Sequence, residues 1–199
     1  MNVTFSGREL LDLAAAWVAL SAAFALLIGG GPSVFLSAVA VRWVTLSLLT
    51  VGVGFLLHEL AHKVVAIRFG KRAEFRADYG MLFVAVAAAL AGFFFAAPGA
   101  VYHAGYSTER QNGLIALAGP VTNIALAVVF APLAFLASGF VGTVGLFGVG
   151  INVFLAGFNM IPFGPLDGKT VLSWSKPVFL AIFAPSAGLS VYILWQVFL

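Results

Sequence analysis

His58-Glu59-Leu60-Ala61-His62 is the stretch of this sequence whose residue types and spacing most directly suggest chemistry. On a helix, residues four apart share a face, so the two imidazoles stand one turn apart and can share one zinc ion. Glu59, beside the first of them, is then placed to act as general base towards a water that the metal activates. The motif sits inside an almost uncharged apolar run from Val44 to Ala66. Soluble proteases with this pattern do not embed it among Leu, Val and Phe, so the chemistry is expected to lie within a membrane.

Composition supports that expectation. Of 199 residues, 62% are hydrophobic and 9% charged, and the mean hydropathy is +1.10. A soluble domain carries about a quarter charged residues because its surface must face water. The expected fold class is therefore an all-α integral membrane protein, a single membrane-embedded domain over residues 1–199. The net charge of +3 comes from few residues and reads as membrane orientation, not nucleic-acid binding. The absence of cysteine excludes disulfides and thiolate ligands.

Hydropathy predicts about five spans and one ambiguous segment. A first span over 10–28 is closed by Gly29-Gly30-Gly31-Pro32 and is longer than a signal-peptide core, so a retained helix is the better reading. A second begins near Ser33 and continues to about Phe69. Two more run from about Gly113 to Ala137 and from about Phe140 to Ile161. A last span covers 178–199, with Pro185 expected to kink it. Spans 10–28 and 178–199 are peripheral to a core at 33–168. The ambiguous segment is 79–97, either a sixth span or a re-entrant hairpin with its turn near Gly92.

Lys63, Arg68, Lys71, Arg72 and Arg76 cluster after the second span and Arg8 flanks the first, which places both clusters on the cytoplasmic side. His58 and His62 then lie roughly 9–15 Å inside that end. A zinc hydrolase normally uses three protein ligands and keeps one position open. The candidates for the third are Asp12, Glu74, Asp78, His103, Glu109 and Asp167. Asp167 stands out because it follows a long apolar helix broken by Pro162 and Pro165, and unwound backbone at membrane depth is tolerated where it lines a cavity. Asp167 and His58 must share a depth. That requires residues 79–97 to dip in and return, because a full crossing would deliver Asp167 to the far side.

At these residues the chain resembles the site-2 protease family of intramembrane zinc metalloproteases. The resemblance rests on His58-Glu59-Leu60-Ala61-His62, on Gly119-Pro120-Val121-Thr122-Asn123, and on Asn159, Pro162 and Leu166-Asp167-Gly168 in that order. It implies one zinc per chain held by His58, His62 and Asp167, with Glu59 as catalytic base. It also implies that Asn159 helps bind the substrate backbone or stabilise the oxyanion. The family's re-entrant β-hairpin would fall in the ambiguous segment, although Tyr79–His103 is more Ala- and Phe-rich than that hairpin should be. No inserted PDZ-like domain is found.

The expected activity is hydrolysis of peptide bonds within or near transmembrane segments of other membrane proteins, by a multi-pass protein of the cell membrane whose active site faces the cytoplasm. Its partners are then a transmembrane protein substrate and the lipid bilayer, and the re-entrant segment could hold an unwound peptide by strand addition. The alternatives are a catalytically inactive membrane homologue and a membrane metal transporter. A transporter would spread polar residues along a path across the bilayer, whereas here they concentrate at one depth. Blander readings apply elsewhere: an interhelical hydrogen bond for Asn159, an interfacial position for His103, and helix packing for Gly119-Pro120 and Asn123.

Overall fold

The computed structural model describes residues 2–93 and 98–198. Helix α1 (Gly7–Ile28) is started by Ser6, whose hydroxyl accepts from the Glu9 amide. After a short 3₁₀ turn at Pro32–Leu36 come α2 (Ala40–Ser47) and α3 (Val53–Arg68). A π turn at Leu48–Gly52 joins these two into one 29-residue rod. Strand β1 (Arg72–Ala77), helix α4 (Tyr79–Leu90) and strand β2 (Gly99–Ala104) follow. Then come α5 (Glu109–Leu136), α6 (Gly139–Asn159), the short α7 (Asp167–Trp174) and α8 (Lys176–Phe198), which runs through Pro185. Five of these helical stretches are long and apolar enough to cross a membrane, as an all-α membrane protein requires.

Segment 79–97 is where expectation and structure differ in detail. Asp78 caps α4 by accepting from the Met81 amide at 3.0 Å, and the Ala-rich run that follows is a strong helix former. Most of the segment is therefore a helix and not a bare hairpin. It ends in a turn at Gly92, whose φ of 83° few other residues adopt. Residues 94–97 lie outside the described residues. At 12 residues, α4 is about 18 Å long, short of the roughly 30 Å hydrocarbon core. Its neck is closed: β1 and β2 pair antiparallel from Arg72↔Ala104 to Ala77↔Gly99, and the Asp78 amide donates to the Pro98 carbonyl at 3.1 Å. The chain thus leaves and returns at one place, as a re-entrant path would require.

Helix α1 anchors this arm. Leu82 packs with Leu13, Ala16, Leu20 and Phe55, and Ala89 packs with Ala23 and Leu26. Glu9 Oε1 accepts from the Phe75 amide at 3.0 Å, Glu9 Oε2 receives Lys63 Nζ at 2.5 Å, and Asp12 accepts from the Tyr79 hydroxyl at 2.7 Å. Lys63 also donates to the Thr4 carbonyl and sits over the Phe5 ring. Lys63 and Lys71 are both buried, so two of the five basic residues read as orientation charges are structural instead.

Removing one partner of a buried ion pair leaves the other charge stranded, at a cost of roughly 3–5 kcal/mol. Lys63→Met is therefore expected to destabilise the protein by about 3 kcal/mol in detergent unfolding, and adding Glu9→Leu should recover part of the loss.

The π turn has its own support. Extra residues in a helical turn leave a carbonyl without its usual amide, and here Trp17 Nε1 donates to the Leu48 carbonyl at 3.2 Å. Gly52 lets α1 come this close, since a Cβ there would meet the Trp17 ring at 2.3 Å.

Candidate metal centre

Spacing alone puts His58 and His62 on one face of α3, and packing turns that face inward. Both are buried, as is Glu59. The backbone between Met160 and Leu166 is irregular, as its two prolines require, and Asp167 emerges as the first residue of α7. This brings Asp167 Oδ2 to 3.2 Å from His58 Nε2 and 3.4 Å from His62 Nε2. In a tetrahedron with metal–ligand bonds of about 2.0–2.1 Å, neighbouring ligand atoms are about 3.3 Å apart. Both carboxylate–imidazole distances therefore match zinc spacing, and the three ligand atoms all lie within 4.8 Å of one another.

The chemistry of the set agrees. Asp167 Oδ2 is buried with no hydrogen-bond donor, and it faces two imidazole nitrogens whose Nδ1 partners are both acceptors. His58 Nδ1 meets Asn123 Oδ1 at 2.6 Å, and His62 Nδ1 meets the Ile115 carbonyl at 2.7 Å. Each ring therefore carries its proton on Nδ1, leaving the Nε2 lone pairs aimed at the carboxylate oxygen. Three such groups converging in a buried site form a ready-made place for a cation, and two imidazoles with one carboxylate suit zinc.

Of the other candidate ligands, none joins this group. Asp12 is engaged by Tyr79, with Arg76 3.8 Å away. Glu74 pairs with Arg76 at 2.7 Å and accepts from Ser6, and Asp78 caps α4. Glu109 stands exposed in the first turn of α5. His103 is on β2 at the rim of the cavity beside the metal trio. Desolvation, and then the charge of Lys71, lower its pKa.

That cavity has a volume of about 470 Å³, and Glu59, Val101, Ile115, Asn159 and Thr170 are among the residues lining it. Asn159 thus shares a cavity with the metal trio, while its Nδ2 donates to the Leu155 carbonyl one turn back at 3.0 Å.

Two features near the site were not read as part of the chemistry from sequence. Asn123 is a direct partner of His58, not only a helix-packing residue. Gly119 leaves the room in which α5 packs against both histidines: a Cβ there would lie 2.5 Å from His58 Cε1, His58 Nε2 and His62 Nε2. The available signal was positional, because Gly119 and Asn123 are four apart and a polar amide inside an apolar helix is costly without a purpose.

No family model matches the chain, and no solved structure matches it. Among curated proteins, "Putative zinc metalloprotease MJ0611" of Methanocaldococcus jannaschii is 40% identical over 195 residues, covering 96% of this chain and 97% of its own. "Putative zinc metalloprotease YwhC" of Bacillus subtilis is 28% identical over 187 residues, covering 74% of this chain and 83% of its own. With a converging His58, His62 and Asp167 trio beside a buried glutamate, and similarity running almost end to end, this chain belongs to the zinc metalloprotease family of these relatives.

Proposed function

We propose that this metalloprotease acts in the manner of the site-2 proteases, cleaving peptide bonds within or beside transmembrane segments of other membrane proteins. The observation that carries the reading is the placement of the site: the ligand trio and Glu59 line one cavity whose walls include residues of four helical stretches of membrane-spanning length. The basic residues Arg68, at the end of α3, and Arg72 and Arg76 just beyond it favour a cell-membrane protein with this cavity towards the cytoplasm.

His58, His62 and Asp167 would hold the zinc. When bound, it supplies Lewis acidity, polarising the scissile carbonyl and making a water acidic enough to lose a proton near neutral pH. The buried Glu59 carboxylate accepts that proton and delivers it to the leaving amine. Asn123 and the Ile115 carbonyl hold the two imidazoles in the metal-binding tautomer throughout.

Substrate must arrive unwound, because a helix hides its own carbonyls, and β2 offers a template for it. The Phe75 amide is spent on Glu9, away from β2, which makes Phe75↔Val101 a non-hydrogen-bonded pair of the ladder. The amides and carbonyls of Gly99, Val101 and His103 therefore point away from β1. Among the described residues β2 pairs with β1 alone, and these three residues line the cavity. An extended peptide added to this edge would run past Glu59.

The test is a panel of membrane-spanning reporter peptides incubated with the purified protein in liposomes, with and without a zinc chelator. Cleavage inside the spanning segments that stops on chelation is the expected result. Cleavage confined to soluble peptides would sink the intramembrane assignment.

A further inference from the structure

The two metal-binding histidines are held in different ways. His62 rests on a backbone carbonyl, which can only accept, so its tautomer is set by the main chain. His58 rests on a side-chain amide, which could present either its oxygen or its nitrogen. Something must decide which way that amide faces.

We propose that Asn152, on α6, is a positioning residue of the metal centre: acting through Asn123, it holds His58 in the tautomer whose Nε2 is free for the metal. The proposal rests on the metalloprotease reading and names a residue that touches neither ligand nor substrate.

The relay runs in one direction. Asn152 Nδ2 donates to the Gly148 carbonyl one turn back at 2.9 Å. This turns Asn152 Oδ1 towards α5, where it accepts from Asn123 Nδ2 at 2.8 Å. The same Nδ2 group donates to the Gly54 carbonyl at 3.1 Å. With both amide hydrogens taken by acceptors, Asn123 Oδ1 must face His58 Nδ1, which it does at 2.6 Å. Asn152 and Asn123 are fully buried, so water does not compete for any of these bonds. The fit is close as well: a Cβ on Gly54 would meet Asn152 Oδ1 at 2.8 Å.

Without Asn152, one Asn123 hydrogen is left buried and unpaired, a loss that favours turning the amide or tilting it away. A turned amide offers hydrogens to His58 Nδ1. The imidazole proton must then sit on Nε2, where it blocks the metal. Outer partners of metal-bound histidines are commonly worth about tenfold to hundredfold in metal affinity.

The test uses the full chain in detergent with three variants. Asn152→Leu removes the relay at similar volume, and Asn152→Ala removes it without adding atoms. Asn152→Asp keeps the relay, because a carboxyl held neutral in this dry site can donate O–H to Gly148 and accept from Asn123. Two readouts are taken: zinc affinity by chelator competition, and the His58 tautomer by ¹⁵N NMR of the zinc-free protein.

Asn152→Leu is expected to weaken zinc binding about tenfold to hundredfold and to lose the pure Nδ1–H signature, while Asn152→Asp stays within about threefold of the parent. If the Leu variant does not fold, the Ala variant is held to the same expectations. Parent-like affinity and tautomer in the relay-deleting variant would overturn the proposal, as would an Asp variant that loses zinc like the Leu variant. A parent protein that takes up no zinc would overturn the metal reading instead, and the tautomer readout would still decide the role of Asn152.

Discussion

Glu59→Gln is expected to lower kcat/KM by at least about a thousandfold while the protein still binds one zinc. General-base contributions fall at roughly 10²–10⁴, and a thousandfold corresponds to about 4 kcal/mol of transition-state stabilisation. Gln matches Glu in shape but cannot take a proton. Glu59 lines the cavity without belonging to the converging trio of His58, His62 and Asp167, so zinc content should not change. Single-turnover cleavage of a reporter peptide, with zinc measured on the same sample, checks both halves. Activity within tenfold of the parent would remove Glu59 as the base. Loss of zinc would show that the carboxylate has a structural part in the centre.

Gly119→Ala should nearly empty the metal site while leaving the helices intact. The new methyl would sit 2.5 Å from atoms of both imidazoles, and neither ring can swing away without breaking its bond to Asn123 or to the Ile115 carbonyl. Metal sites tolerate errors of about 0.2 Å in ligand distance, so a displacement of half an ångström or more is disabling. We expect zinc affinity to fall by at least about a hundredfold. Ala is a better helix residue than Gly by about 1 kcal/mol, so α5 itself should not suffer. Circular dichroism and chelator competition on one preparation separate the two effects. Affinity within threefold of the parent would mean that α5 can retreat, and that its closeness to the histidines is not required.

The parts of this site legible in the sequence were those whose chemistry follows from spacing. His58, Glu59 and His62 needed only helical geometry, and Asp167 was marked by the prolines that break the backbone before it. The demand that Asp167 share a depth with His58 also exposed the re-entrant path of 79–97, which hydropathy by itself would have made a span. What stayed hidden has physical reasons. The Ile115 carbonyl that orients His62 belongs to the backbone, and every residue has one. Lys63 was read as an orientation charge because its partner, Glu9, lies 54 residues away in sequence. The helical state of Tyr79–Leu90 was obscured because the run is apolar on all sides and has no period to read. The short α7 was concealed by the prolines and glycines just before it.

The π turn at Leu48–Gly52 has a consequence best expressed in angles. Each residue of an α-helix advances about 100° around the axis, so one residue accommodated in a wider turn re-aims everything downstream by that amount. His58 lies six residues past Gly52. The compass bearing of both imidazoles is therefore decided by a backbone irregularity more than one turn upstream, held by an indole from another helix. Deleting a single residue there would leave every ligand present and point the pair away from Asp167.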